Sequence, residues 1–223
     1  MNKETFREAA RAQHSLLAPL EKTCLVWLAR QMPPWVTSDH LTALGLASML
    51  AAGVLYALAA RWPLALLAVN VCLAVNWFGD SLDGTLARVR KKLRPRYGFY
   101  VDHMVDAFGT LFLIGGMGLS GYMSLPVAFA LVVVYFLLSI NSYLATYTIG
   151  SFQISFWKFS PTELRILLAI GNCFVLARPA VRFLGEERLF FDIGGVGAII
   201  GMTGALLYSV ADNTRTLFRA ERI

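Results

Sequence analysis

Four aspartates in one short stretch are the residues of this chain best suited to chemistry. They stand in Asp80-Ser-Leu-Asp83-Gly84-Thr-Leu-Ala87-Arg88 and, after a basic link, in Gly98-Phe-Tyr-Val-Asp102-His-Met-Val-Asp106. Helical spacing of about 100° per residue puts Asp80, Asp83, Gly84 and Ala87 in one stripe. Gly98, Asp102, Asp106 and Gly109 form a second stripe on the helix that follows. Crowded carboxylates repel one another and are costly to desolvate. Arg88 alone does not balance four of them. Oxygen-only donors suit hard divalent cations, Mg²⁺ or Mn²⁺, and two such ions about 4 Å apart serve displacement at phosphorus. The residues without bulk leave space for a diphosphate. An ion-pair cluster between these acids and the basic link is the plainer alternative.

These acids belong to a strongly apolar chain. Of 223 residues, 57% are hydrophobic and 15% charged, and the mean hydropathy is +0.59. A soluble domain of this length does not need so much apolar surface, whereas a bilayer core of about 30 Å needs roughly 20 apolar residues per crossing. The expected fold is all-α: an integral membrane bundle of six transmembrane helices with an N-terminal amphipathic interfacial helix. Residues 1–40 form the surface segment, broken at Met32-Pro33-Pro34-Trp35. Residues 41–223 form the transmembrane catalytic domain. Its expected spans are 41–60, 63–78 (continuing through Arg88), 98–121, 125–149 (interrupted near Asn141-Ser142-Tyr143), 162–177 and 189–210, followed by a polar tail. Ser38 or Asp39 is the expected cap of the first span.

Cys24, Cys72 and Cys173 are odd in number and scattered, so they form neither a disulfide framework nor a metal site. His14, His40 and His103 have no ligand spacing. With the N-terminus inside, only Arg61, Arg178, Arg182 and Arg188 of the 20 Lys and Arg fall outside. This bias orients both termini, and the acids, toward the cytoplasm of what reads as a bacterial inner membrane. The net charge of +6 resides on short membrane loops, which argues against nucleic acid and for anionic lipid headgroups and nucleotide phosphates as partners.

The acid stretch resembles the CDP-alcohol phosphotransferase (CDP-alcohol phosphatidyltransferase) family. That family's motif runs Asp-x-x-Asp-Gly-x-x-Ala-Arg, then Gly-x-x-x-Asp-x-x-x-Asp, and each fixed residue is present. The link from Arg88 to Gly98 is longer than usual, and Pro95 stands where many members carry Ser or Thr. Thr37-Ser-Asp39-His-Leu-Thr42 is similar to the family's entry to the nucleotide pocket, with Ser38 in place of Pro. A helix cap without ligand contact is the other reading there.

The resemblance implies attack of an acceptor hydroxyl on the β-phosphorus of a CDP-alcohol lipid, with release of CMP. It implies Asp80, Asp83 and Asp102 as metal ligands, and Asp106 as ligand, general base or both. Asp39, Thr42, Gly84, Ala87, Arg88 and Gly98 match positions near the CDP group. Lys158 and Arg165 are inside-facing candidates for a phosphorylated acceptor, although either also suits a topogenic role. CDP-diacylglycerol is the expected donor, and a homodimer is compatible with such a chain. Pro161-Thr162-Glu163-Leu164-Arg165 faintly resembles choline/ethanolamine phosphotransferases, which move a phosphoalcohol from CDP onto diacylglycerol. A cation-coupled transporter and an intramembrane prenyltransferase are rivals from other classes. Against them, the acids cluster at one end of two helices, and Glu163, Asp192 and Asp212 are isolated.

Overall fold

The computed structural model describes residues 18–149 and 161–221. Seven helices are present among the described residues: α1 (Ala18–Gln31), α2 (Ser38–Ala59), α3 (Ala65–Val89), α4 (Pro95–Leu119), α5 (Leu125–Ile149), α6 (Pro161–Ala177) and α7 (Phe190–Ala220). Each expected span corresponds to one of α2 to α7. By length and composition, α2, α3, α5 and α7 can cross a membrane. α6 has only 17 residues, and α4 carries Arg96, Asp102 and Asp106 in its first half. The expected N-terminal interfacial helix falls partly on residues 1–17, which lie outside the described residues; α1 is described from Ala18.

Local chemistry sets the helix boundaries. Thr37, not Ser38 or Asp39, caps α2. Its extended backbone lets Thr37 Oγ1 accept from His40 N, while Thr37 N donates to His40 Nδ1, each at 3.3 Å. At the end of α3, Lys92 N donates to Ala87 O and Lys91 N to Arg88 O. These two bonds form a Schellman motif, with Lys91 in the left-handed position at φ 55. Pro95 opens α4, where a missing N–H costs nothing.

Three differences from expectation stand out. α5 runs unbroken through Asn141-Ser142-Tyr143, and Asn141 Nδ2 donates to Ser209 Oγ of α7 at 2.8 Å. α7 continues into the polar tail as far as Ala220. The all-α expectation misses an antiparallel hairpin, β1 (Ala180–Phe183) with β2 (Glu186–Leu189), paired Ala180↔Leu189 through Phe183↔Glu186. Its turn, Leu184-Gly185, has φ of 50 and 88. Leu is a poor left-handed residue, so the usual Asn-Gly or Asp-Gly signal is absent.

α2 is the central helix, and glycines bring it into backbone contact with two others. A Cβ added at Gly79 of α3 would lie 2.6 Å from Leu41 O and 2.8 Å from Gly45 N. At Gly116 of α4 it would lie 2.2 Å from Gly53 O. Small residues let helices approach this closely where lipid supplies no hydrophobic drive. Ala52, Tyr56, Leu66, Val69 and Leu73 fill the core between them. Tyr56 Oη donates to Asn172 Oδ1 at 2.8 Å, and Asn172 Nδ2 to Asn70 Oδ1 at 2.7 Å, tying α2, α6 and α3 together. A second cluster packs Leu25 and Ala29 of α1 on Leu41, Leu82 and Leu86.

Gly116→Ala must therefore push α4 off α2, where no flexible side chain can yield. It is expected to cost about 1–3 kcal/mol, as overpacking does. Gly115→Ala, one residue away with open space around its Cβ, should be neutral. Thermal unfolding of the two variants in one detergent checks this, and equal stability would remove the close crossing.

Candidate metal and phosphate site

α3 delivers Asp80 and Asp83 from its last turns, and α4 delivers Asp102 and Asp106 from its first ones. The α2 contact at Gly79 holds the α3 acids at a fixed height, one residue from Asp80. Asp80, Asp102 and Asp106 each offer a carboxylate oxygen within 4.8 Å of the other two. That is a donor set for a hard divalent cation in both chemistry and spacing.

The fourth acid is turned aside. Asp83 Oδ2 accepts from Thr42 Oγ1 of α2 at 2.5 Å, and Oδ1 accepts from Gly84 N at 2.5 Å. It still lies close enough to Asp80 and Asp102 for their charges to act on it. Thr42, expected near the CDP group, is thus bonded to one of the four acids.

Arg165 arrives from the first turns of α6. Its Nη2 donates to Asp80 Oδ2 at 2.5 Å and its Nε to Asn76 Oδ1 at 2.8 Å. Asn76 Nδ2 donates in turn to Gly45 O at 3.0 Å. The pair is largely sheltered, with side-chain exposures of 15% and 24%, so it is far less screened than a surface ion pair. Arg165 therefore stands at the acids, whereas Lys158 lies outside the described residues.

The expected CDP-side residues are less closely gathered. A Cβ at Gly84 would find only Arg88 Nη2 at 3.7 Å, and one at Gly98 would find nothing within 4 Å. Ala87 is half-buried and Arg88 exposed. Asp39 instead pairs with Arg94, whose guanidinium lies 4.1 Å from the Tyr97 ring centre.

Some functional-end residues escape sequence reasoning. Arg90 donates from Nη2 to Met32 O at 2.9 Å and Pro33 O at 2.8 Å, and from Nη1 to Val36 O. It caps the loop after α1, although in sequence it is one more basic residue of the link. Tyr135 and Tyr143 of α5 lie where the charges of Asp106 and Asp102 reach them. His103 Nδ1 donates to Phe99 O at 2.6 Å, and its ring meets Tyr143 edge-on at 5.1 Å. Tyrosines in an apolar run carry no signal of a site.

A family model described as CDP-alcohol phosphatidyltransferase matches residues 35–209. The chain belongs to this family. Membership makes it a transferase of substituted phosphate groups, with a CDP-alcohol and an acceptor alcohol as substrates. The family uses divalent metal ions, and among the described residues the Asp80–Asp102–Asp106 set has the donors and spacing to hold one. No curated protein matches the chain.

Asp80→Asn, Asp102→Asn and Asp106→Asn each remove one charged donor from this set. Calorimetric titration with Mn²⁺ should show affinity lowered by roughly 10–100-fold in each. Wild-type affinity in all three would place the ion elsewhere.

Proposed function

We propose that the protein is a membrane phospholipid-synthesis enzyme that transfers the phosphatidyl group of CDP-diacylglycerol to a polar acceptor alcohol. The observation that carries this reading is the convergence of three carboxylate oxygens from α3 and α4, with Arg165 beside them. Asp80, Asp83, Asp102 and Asp106 would hold two divalent ions, Mg²⁺ or Mn²⁺. Bound there, the ions neutralise the diphosphate and stabilise the CMP leaving group. Gly84, Ala87 and Gly98 give the nucleotide room, and Arg88 pairs with a phosphate. Asp39 and Thr42 border the same pocket. Thr42 acts by fixing the Asp83 carboxylate, and Asp39 by holding Arg94 at the rim.

Asp106 takes the proton of the acceptor hydroxyl as its oxygen bonds to the β-phosphorus, and the bond to CMP breaks. It lies one turn, about 6 Å, deeper than Asp102 on the same face, on the side of Tyr135 and Tyr143. Arg165 supplies the cation for an acceptor that is itself phosphorylated, such as glycerol phosphate or inositol phosphate. Its guanidinium is already desolvated, and bidentate recognition of phosphate is what that group does best.

The test is CMP release from purified protein, with CDP-diacylglycerol, CDP-choline and CDP-ethanolamine as donors and glycerol phosphate, inositol phosphate, serine and diacylglycerol as acceptors. CDP-diacylglycerol with a phosphorylated acceptor should give the fastest turnover. Activity should vanish with EDTA and return with Mg²⁺ or Mn²⁺. Full turnover in excess chelator, or preference for CDP-choline onto diacylglycerol, would overturn the reading.

The bundle is proposed to cross the membrane six times with both termini in the cytoplasm. α4 crosses with its acids at the interface, and the Trp27 face of α1 lies on the membrane surface. Support comes from the arrangement of the ends. The N-terminal turns of α2, α4 and α6 and the last turns of α3 share one end with the basic link, while the hairpin with Arg182 and Arg188 follows the far end of α6. A Cys introduced at Lys92 should react with an impermeant reagent from the cytoplasmic side, and one at Arg182 from the opposite side. The reverse pattern would move the site across the membrane.

A further inference from the structure

Glu21 of α1 belongs to none of the motifs above, yet its carboxylate is where three helices meet. Its Oε1 accepts from Trp77 Nε1 at 2.8 Å and Ser81 Oγ at 3.3 Å, both on α3. The same oxygen accepts from Thr162 Oγ1 of α6 at 2.8 Å. On α3 the two donors bracket Asp80, one turn before it and one residue after. On α6 the donor lies one turn before Arg165.

The two helices joined through Glu21 are therefore the two joined by the Arg165–Asp80 and Arg165–Asn76 bonds. Bonds from neutral donors to an ionised carboxylate are stronger than neutral pairs and hold their geometry. Apolar packing alone does not require this arrangement. α1 already has Leu25 and Ala29 seated on Leu82 and Leu86, so a carboxylate one turn earlier is not needed to attach it.

We propose that Glu21 is a positioning residue for the acceptor side of the site: it fixes the first turn of α6 against α3 and so sets where the Arg165 guanidinium stands. The proposal rests on the reading of Arg165 as the acceptor's cation. A residue of the N-terminal surface segment then tunes the use of the second substrate, although it touches neither substrate. α3 on the donor side also bonds Glu21, but it is held separately by α2 through the Gly79 contact and the Thr42–Asp83 bond, so its geometry should survive without Glu21.

The test uses the full-length protein with Glu21→Ala and Glu21→Gln, Arg165→Gln, and the double variant Glu21→Ala/Arg165→Gln. Steady-state kinetics with CDP-diacylglycerol and glycerol phosphate are read beside calorimetry with Mn²⁺ and CMP. Misplacing a cation by about an ångström should raise the glycerol phosphate KM on the order of tenfold in Glu21→Ala. The CDP-diacylglycerol KM and the CMP affinity should stay within about twofold, since their residues lie on α3 and α4. Glu21→Gln keeps an accepting oxygen and should fall between wild type and Glu21→Ala; if the alanine variant does not fold, the glutamine variant carries the test. The double variant should be no worse than Arg165→Gln alone. A fall in thermal stability with both KM values unchanged would make Glu21 an anchor for α1 and overturn the proposal. So would a parallel loss of CMP affinity, or additive effects in the double variant. If Arg165→Gln itself leaves the glycerol phosphate KM unchanged, it is the acceptor reading of Arg165 that fails.

Discussion

The backbone contact of α2 with α3 and α4 is the constraint on which the rest of the structure depends. At Gly79 and at Gly116 there is no room for a single carbon. Two consequences follow. α3 and α4 are fixed relative to each other through a third helix, so their acid stripes face one another with little freedom to separate. The repulsion among Asp80, Asp102 and Asp106 then acts against contacts that have no soft side chain to compress. Close packing of this kind holds a cluster of like charges together at a helix end, where repulsion among carboxylates would otherwise spread the helices.

Around that frame, polar side chains from the other helices fix the carboxylates in place. Thr42 holds Asp83, Arg165 holds Asp80, and Asn76 joins Arg165 to the α2 backbone at Gly45. The last link returns to the helix crossing itself, since Gly45 is also what Gly79 touches. Site and scaffold are therefore one network. Asn76 has the central part: its amide donates to the Gly45 carbonyl through Nδ2 and accepts from the Arg165 guanidinium through Oδ1. Replacing a partner on one side leaves the other polar group unsatisfied within a largely apolar bundle.

Much of this was legible in the sequence, because the signals are local. The Asp80–Asp106 spacing encodes two facing stripes, and the apolar runs encode six helices with boundaries within a few residues, except the end of α7, which runs on to Ala220. What was not legible depends on contacts between elements distant in the chain. Thr42 and Asp83 are 41 residues apart, and Arg165 and Asp80 are 85 apart. No periodicity reports such a meeting, so Arg165 looked like one cation among several. Asp39 matched the nucleotide entry by motif, but its rim contact with Arg94 depends on how the link folds. The hairpin was missed because Leu184-Gly185 lacks turn chemistry, and the cap of α2 was misplaced by one residue because Thr37, Ser38 and Asp39 are all good caps in isolation. Only the His40 ring, three residues after Thr37, decides among them.

The basic link shows how one composition can serve two purposes. Arg90 spends its guanidinium on the carbonyls after α1, and Arg94 lies between Asp39 and Tyr97. These two are structural: they tie the α1–α2 loop and the start of α2 to the α3–α4 turn, and that turn sets how α4 leaves α3. Arg88, Lys91 and Lys92 are exposed and contribute their positive charge to the field around the link, which attracts anions. Fixing two of the basic residues keeps the link compact. A guanidinium suits that work because it offers five donors in a plane, whereas an ammonium would bind fewer carbonyls and stay more hydrated. The division between Arg in the clamps and Lys at the exposed tip, with Lys91 in the Schellman position, follows from the same chemistry. The clamps at Arg90 and Arg94 therefore anchor the link before Asp102 is reached, so α4 starts from a fixed point.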